Sequence, residues 1–382
     1  MRDKVGILTF VWSRNYGAKL QAWALQSLVF SLGFECEIIS FRRKHDCRIR
    51  VILKFLRKGH VGRFTRELAI DLLRWRKHLR LDAFTTQQMR LSPKTCFNLN
   101  DLAKLSERYS TIICGSDQVW NPELTLESQL CYLLDIPDRK DMLRIAYAAS
   151  IGRSFINESM LEDFSRCLKK FDAISLREKS AITLIKSLAE KDISSVLDPT
   201  LLLTMEQWTP LCADVDINEP YLLVYSFGSP SRLKKLAEQI AEERGLKIVS
   251  FHKKRHYRNE ACRVPNAGPR EFLGLFSKAQ FVITNSFHGT AFSIIFKKAF
   301  FCMSTNDKGS RLRDLLDSLD LGDRLVSDRS SKNATLGGEI DYIQVEDKLR
   351  ILREKSIAYL KSALEITKVS RPSMRSEGSN QL

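Results

Sequence analysis

The 382-residue chain is 44% hydrophobic and carries a formal net charge of +16. Its length suits two domains of about 100–200 residues each, and its apolar content excludes disorder over most of the chain. No run approaches the roughly 20 apolar residues that cross a bilayer, and Met1 to Phe10 lacks the apolar core and cleavage site of a signal peptide, which predicts a cytoplasmic protein.

Val5-Gly6-Ile7-Leu8-Thr9-Phe10 is a short apolar run and reads as a buried first strand. The polar turn Ser13-Arg14-Asn15-Tyr16-Gly17 follows, and Ala18 to Leu32 places Leu20, Ala24, Leu25, Leu28 and Leu32 on one helical face before Gly33. Cys36 to Phe41 resumes as a strand. This is the opening of a Rossmann-like domain. Residues 41–90 then interrupt the pattern with 15 Lys and Arg against 4 Asp and Glu, a net +11 interleaved with apolar residues from Ile49 to Trp75. A basic amphipathic insert of this kind suits an anionic membrane surface, or is simply a solvated helical insert. No nucleic-acid partner is expected, because no helix-turn-helix, zinc-finger or aromatic RNA-binding signature accompanies the charge.

Beyond the insert, Asp101 to Arg108 is helical and Thr111-Ile112-Ile113-Cys114 is a strand. Arg144 to Ser150, Asp172 to Arg177 and Ser195 to Leu197 are further strands, with Glu178 to Leu188 a helix between the last two. The pattern breaks at 201–220 and then restarts with a strand (221–227), a helix (231–244), a strand (247–251), a helix (269–277), a strand (281–284), the start of a helix (290–296) and a strand (300–303). The expected organisation is an N-terminal Rossmann-like domain, 1–205, carrying the basic insert 41–90, and a second such domain, 206–340. A long helix (341–367) and a polar, Ser-rich tail (368–382), expected to be disordered, complete it. The fold class is therefore α/β, with two Rossmann-like domains facing a cleft, the arrangement called GT-B in glycosyltransferases.

Nine cysteines are scattered without any C-x-x-C pair and read as reduced core residues, and no metal-ligand spacing is present. Among six histidines, only His288 sits in a strand-to-helix turn, Asn285-Ser286-Phe287-His288-Gly289-Thr290. That position joins a proton-transfer group to helix N-terminal amides, with Gly289 allowing a tight turn. A capped turn with a structural histidine is the competing reading. The loop Gly115-Ser116-Asp117-Gln118-Val119-Trp120-Asn121 follows a strand, where Ser116 and Asp117 suit sugar hydroxyls or a helix cap. Arg177, at a strand end, suits a bidentate clamp on carboxylate or phosphate, or an ion pair with Glu178. For Asp198 before Pro199, spacing alone favours a turn. Asn15, Gly17 and Gln21 fit an anion or sugar loop at a helix start, but no dinucleotide or P-loop fingerprint is present.

Together these pieces resemble the polysaccharide pyruvyl transferase family. The matching residues are Asn15-Tyr16-Gly17-Ala18 with Leu20-Gln21-Ala22, the 115–121 loop, Tyr147-Ala148-Ala149-Ser150, Ser175-Leu176-Arg177-Glu178, Val196-Leu197-Asp198-Pro199-Thr200, the 283–290 segment, and Gly309-Ser310-Arg311. They keep this order over about residues 5–325, with the basic insert and the tail outside the resemblance. The resemblance implies transfer of a pyruvyl group from phosphoenolpyruvate to a sugar hydroxyl, leaving a ketal and free phosphate, with no cofactor or metal. It implies His288 and Arg177 as catalytic. It implies ligand contacts from Asn15, Gly17, Gln21, Gly115, Ser116, Asp117, Asn121, Ser150, Asp198, Asn285, Ser286, Gly289, Thr290, Ser310 and Arg311. Acceptors in such pathways, exopolysaccharide or capsule among them, are often lipid-linked sugars at the inner membrane face, where the basic insert would act as a peripheral anchor. A glycosyltransferase using a nucleotide sugar is the first alternative. A non-catalytic protein binding anionic glycans or nucleic acid is the second.

Overall fold

The computed structural model describes residues 4–43, 46, 61–152, 155–228, 231–252, 256–304, 310–326 and 338–366, with backbone alone for 61–74. Two parallel six-stranded sheets carry the architecture. The first contains β1 (Lys4–Leu8), β2 (Glu35–Ile38), β3 (Thr111–Cys114), β4 (Leu143–Ala149), β5 (Ala173–Leu176) and β6 (Ser194–Ser195), in the order β2-β1-β3-β4-β5-β6. The second contains β7 (Tyr221–Tyr225), β8 (Lys247–Ser250), β9 (Glu260–Arg263), β10 (Phe281–Thr284), β11 (Ala299–Met303) and β12 (Leu325–Val326), in the order β12-β11-β10-β7-β8-β9. The central strands β1, β3, β4, β7 and β10 are continuous apolar runs buried on both faces, as parallel sheets require.

The strand orders fix where a ligand can bind. In an open parallel sheet, the crevice lies at the strand C-termini where the order reverses. The reversal falls between β1 and β3 in the first sheet and between β7 and β10 in the second. The loops leaving those four strands contain Asn15, Asp117, Phe227 and His288, and all four residues line one cleft.

Three contacts hold the halves in register. The first helix, Tyr16–Ser31, begins with Tyr16, whose ring stacks on Phe272 at 4.7 Å and whose hydroxyl donates to the Ala267 carbonyl at 2.8 Å. The helix Ser310–Asp317 sets the Asp314 carboxylate on the Lys179 amide N–H at 2.9 Å, beside the end of β5. The C-terminal helix Tyr342–Leu364 returns to the first half, where Ser356 Oγ accepts the Leu197 N–H at 3.0 Å and Arg353 Nε donates to the Leu201 carbonyl at 2.7 Å. One apolar cluster runs through both halves, from Ile7 and Leu25 to Phe272, Phe292 and Leu360.

The helix Val61–Gln88 occupies much of the basic insert, and Thr85 on it accepts a hydrogen bond from buried Lys19. The segment 47–60, the side chains of 61–74 and the 367–382 tail lie outside the described residues. The expected helix 290–296 begins earlier, at Phe287, because Ser286 caps it. Among the elements with no counterpart in the sequence reading are β9, β12 and the helices Glu158–Leu168 and Ser310–Asp317. β9 and β12 are short edge strands with only partly buried side chains, so neither writes the apolar run that marked the inner strands.

Candidate functional site

Asn15 ends the loop after β1 and caps the first helix, its side chain accepting the Gly17 N–H at 2.9 Å. The opening turn of that helix lies directly against His288 of the second half. A Cβ added to Gly17 would fall 2.0 Å from His288 Nδ1. Gly17 therefore contributes by lacking a side chain, letting the helix N-terminus close over the imidazole. His288 itself stands one residue into the helix Phe287–Ile295, whose cap is Ser286 Oγ accepting the Gly289 N–H.

Asp198 lies at the centre of the constellation and is fully buried. Its Oδ2 accepts from Arg177 Nη1 at 3.0 Å and from Ser116 Oγ at 2.8 Å. Its Oδ1 accepts from the Thr200 N–H at 3.0 Å and Thr200 Oγ1 at 2.7 Å, capping Pro199–Leu202. His288 Nε2 lies 3.7 Å from Oδ2, too far for a hydrogen bond but close enough for strong attraction when the ring is protonated. Burial pushes the Asp198 carboxyl up, but His288 and Arg177, with the Thr200 bonds, outweigh it and hold it well below the usual carboxylate range. Asp198 is therefore an anion that ties the cationic arm of the first half to the histidine of the second.

Arg177 uses only part of its donor capacity. Nε and Nη2 are buried and donate no hydrogen bond among the described residues, Nη2 lying 3.9 Å from Asp117 Oδ1. Its guanidinium stacks under the Phe287 ring, 4.4 Å from the centroid. Arg311 is the second guanidinium here, and its Nε is likewise buried without a partner. Burial, followed by repulsion from Arg177, lowers Arg311 to about 10. A half-satisfied guanidinium beside a second one that it repels suits an anion, which would supply missing acceptors and relieve the repulsion.

Two cavities meet at Phe287 and Arg311. The cleft at the sheet reversals, about 1030 Å³ of empty space, is lined by Asn15, Asp117, Asn285, Ser286 and His288. A smaller chamber, partly open to solvent, is lined by Arg177, Lys179, Asp198 and Lys355 together with apolar residues such as Val196, Leu201 and Leu352. Arg177 and His288 thus face different cavities across the Phe287 ring, joined underneath by Asp198.

The remaining expected ligand contacts fall into two groups. Asn285 reaches the cleft while pinning Phe227, its Oδ1 accepting the Phe227 N–H at 2.8 Å and its Nδ2 donating to the Phe227 carbonyl at 2.9 Å. Asp117 reaches it from a left-handed backbone conformation, φ 73°, that few non-glycine residues adopt and that active sites often hold. Ser116, Gln21, Gly115, Asn121, Ser150, Gly289, Thr290 and Ser310 line neither cavity. Their roles are supporting ones. Gln21 Nε2 donates to Thr9 Oγ1, which donates to the Ser116 carbonyl. Ser150 Oγ donates to the buried Glu178 carboxylate, which also accepts the Ile151 and Gly152 amides. Asn121 caps Pro122–Thr125, and Thr290 Oγ1 bonds the Ser286 carbonyl. Gly115 and Gly289 are packing positions: an added Cβ would press on Thr9 at 3.2 Å and on Thr284 Oγ1 at 2.2 Å. Ser310 opens the helix that carries Arg311. Phe227, Lys179 and Lys355 were not singled out from the sequence. The position of Phe227 at the tip of β7 was the available signal.

Among the described residues, no group of three His, Cys, Asp or Glu is placed to hold a metal, and no helix is long and apolar enough to cross a membrane. Residues 15–307 match the family model described as polysaccharide pyruvyl transferase. No curated protein matches the chain. Among solved structures, the Staphylococcus aureus MnaA–UDP co-structure superposes with a TM-score of 0.50 at 11% identity, over 95% of this chain and 91% of that one. The UDP-GlcNAc 2-epimerase of Methanocaldococcus jannaschii with UDP-GlcNAc and UDP gives 0.47 at 14%, over 96% and 94%. The spinosyn forosaminyltransferase SpnP gives 0.41 at 10%, over 94% and 96%. At such identities the likeness concerns the fold, which is GT-B.

Proposed function

This chain belongs to the polysaccharide pyruvyl transferase family, and on that premise we propose that it transfers a pyruvyl group from phosphoenolpyruvate to a sugar, forming a ketal and releasing phosphate. The observation that carries this reading is Asp198, which couples a guanidinium with unused buried donors to a histidine in the acceptor-sized cleft. The donor has a carboxylate and a phosphate, and Arg177 and Arg311 offer the N–H groups to bind them. In the reaction, C3 of the donor gains a proton, and C2 becomes electrophilic and bonds a sugar oxygen. The C2–O bond to phosphate then breaks, and a second hydroxyl closes the ketal. His288 accepts the proton of the first hydroxyl and supplies one to C3, and the proton of the second hydroxyl leaves with phosphate. Arg177 stabilises charge building on the departing phosphate. Asn15, Asp117 and Asn285 face the acceptor.

The test is phosphate release from phosphoenolpyruvate across a panel of sugar acceptors, with mass analysis for the pyruvyl adduct. A protein whose melting temperature rises with a UDP-sugar and not with phosphoenolpyruvate is a nucleotide-sugar transferase instead.

For the acceptor we infer a lipid-linked sugar met at an anionic membrane surface. The support is the +11 segment 41–90 together with Trp75 and Leu79, one helical turn apart and 52% and 56% exposed. The protein should float with anionic liposomes at low salt, and charge reversal within 42–58 should release it. Equal binding to neutral vesicles sinks this inference.

A further inference from the structure

The chamber behind Phe287 is distinct from the cleft that holds His288, and its charge is one-sided. Arg177 and Lys179 enter it from the end of β5, Arg311 from the helix Ser310–Asp317 and Lys355 from the C-terminal helix. The two carboxylates on its wall are already engaged: Asp198 by Arg177, Ser116 and Thr200, and Asp314 by the Lys179 and Ser180 amides. Ser195 and Ser318 add hydroxyls. Arg177, almost wholly buried, lines this chamber and not the cleft, and its Nε and Nη2 have no hydrogen-bond partner among the described residues, Nη2 lying 3.9 Å from Asp117 Oδ1. Four cations on a wall otherwise made largely of Val196, Leu197, Leu201, Leu315 and Leu352, with both carboxylates occupied, suit a small dianion.

We propose that this chamber is a phosphate site with its own mouth, lined by Lys179 and Lys355, which takes the phosphate cleaved from the donor and releases it on the opposite side of Phe287 from the sugar. The inference rests on the phosphoenolpyruvate reading. Arg311 and Phe287 border both cavities and Arg177 stacks under Phe287, so phosphate cleaved from a donor held by these two guanidiniums leaves C2 already at the chamber wall. The two products then leave by different routes, and bound sugar does not trap phosphate.

Inorganic phosphate is titrated calorimetrically into the full-length protein and into the Lys179→Gln/Lys355→Gln double variant. Both lysines are exposed, so the variant should fold normally. Phosphate affinity should fall about tenfold, product inhibition by phosphate should weaken in parallel, and KM for phosphoenolpyruvate should change by less than about threefold. Equal phosphate affinity in the two proteins overturns the proposal. A KM for phosphoenolpyruvate that rises in step with the inhibition constant also overturns it, because the lysines then hold the donor. If the wild type releases no phosphate from phosphoenolpyruvate with any acceptor, yet loses phosphate affinity in the variant, the donor reading fails while the anion site stands.

Discussion

His288→Ala should lower pyruvyl transfer by about 10²–10⁴-fold, while phosphoenolpyruvate still raises the melting temperature of the variant. The split follows from the geometry. His288 lines the cleft, whereas Arg177 and Arg311, which offer the donor its cationic contacts, are separate side chains that the substitution leaves in place. Removing the imidazole takes away the proton shuttle and leaves the guanidiniums in place. Gly17→Ala should reproduce much of the loss with the histidine still present, because the new methyl would overlap the imidazole and either turn the ring or part the halves. Rates are measured by phosphate release, and binding by thermal shift. Transfer by His288→Ala at the wild-type rate would remove the histidine from the chemistry.

The parts of this site that the sequence made legible are those written locally. Inner strands such as Thr111–Cys114 and Phe281–Thr284 are buried on both faces and so appear as unbroken apolar runs. The loops that follow them mark the strand tips, and His288 and Arg177 could be singled out there. Contacts between distant segments could not be seen. The spacing Asp198-Pro199 suggests a turn, and Asp198 does cap Thr200, yet its other oxygen serves Ser116, Arg177 and His288, which arrive from three other strand ends. Gly17 looked like a ligand loop because it precedes a helix; its reason is a histidine in the other half. Ser116 and Ser150 stand among the ligand contacts that the resemblance implies, and each donates to a buried carboxylate.

Asp198→Asn should be the most destabilising single substitution in the site, by about 3–5 kcal/mol, since breaking a buried ion pair strands the remaining charge. Arg177 is the group stranded: its side chain is 2% exposed and its one hydrogen bond to a carboxylate is to Asp198. The amide keeps the shape of the carboxylate and can still cap Thr200, so the fold should survive with a lowered melting temperature. The pH dependence gives the effect a signature. The folded-state carboxyl is held well below its unfolded value of about 3.9. A depressed carboxyl contributes stability that is fully present above the unfolded value and is lost as pH falls through the folded one. The contribution of the carboxyl to the gap between wild type and variant should therefore shrink as pH falls below about 4. Denaturant unfolding across that range measures it. Activity should fall as well, since Arg177 loses its anchor and His288 its nearby anion. Asp198→Glu is the informative companion, because it restores the charge but not the 3.0 Å contact to Nη1. If charge alone matters, stability and rate return together. If Asp198 positions the guanidinium, stability recovers and the rate does not. A gap that does not shrink below about pH 4 would show that the carboxyl is not held ionised by its neighbours.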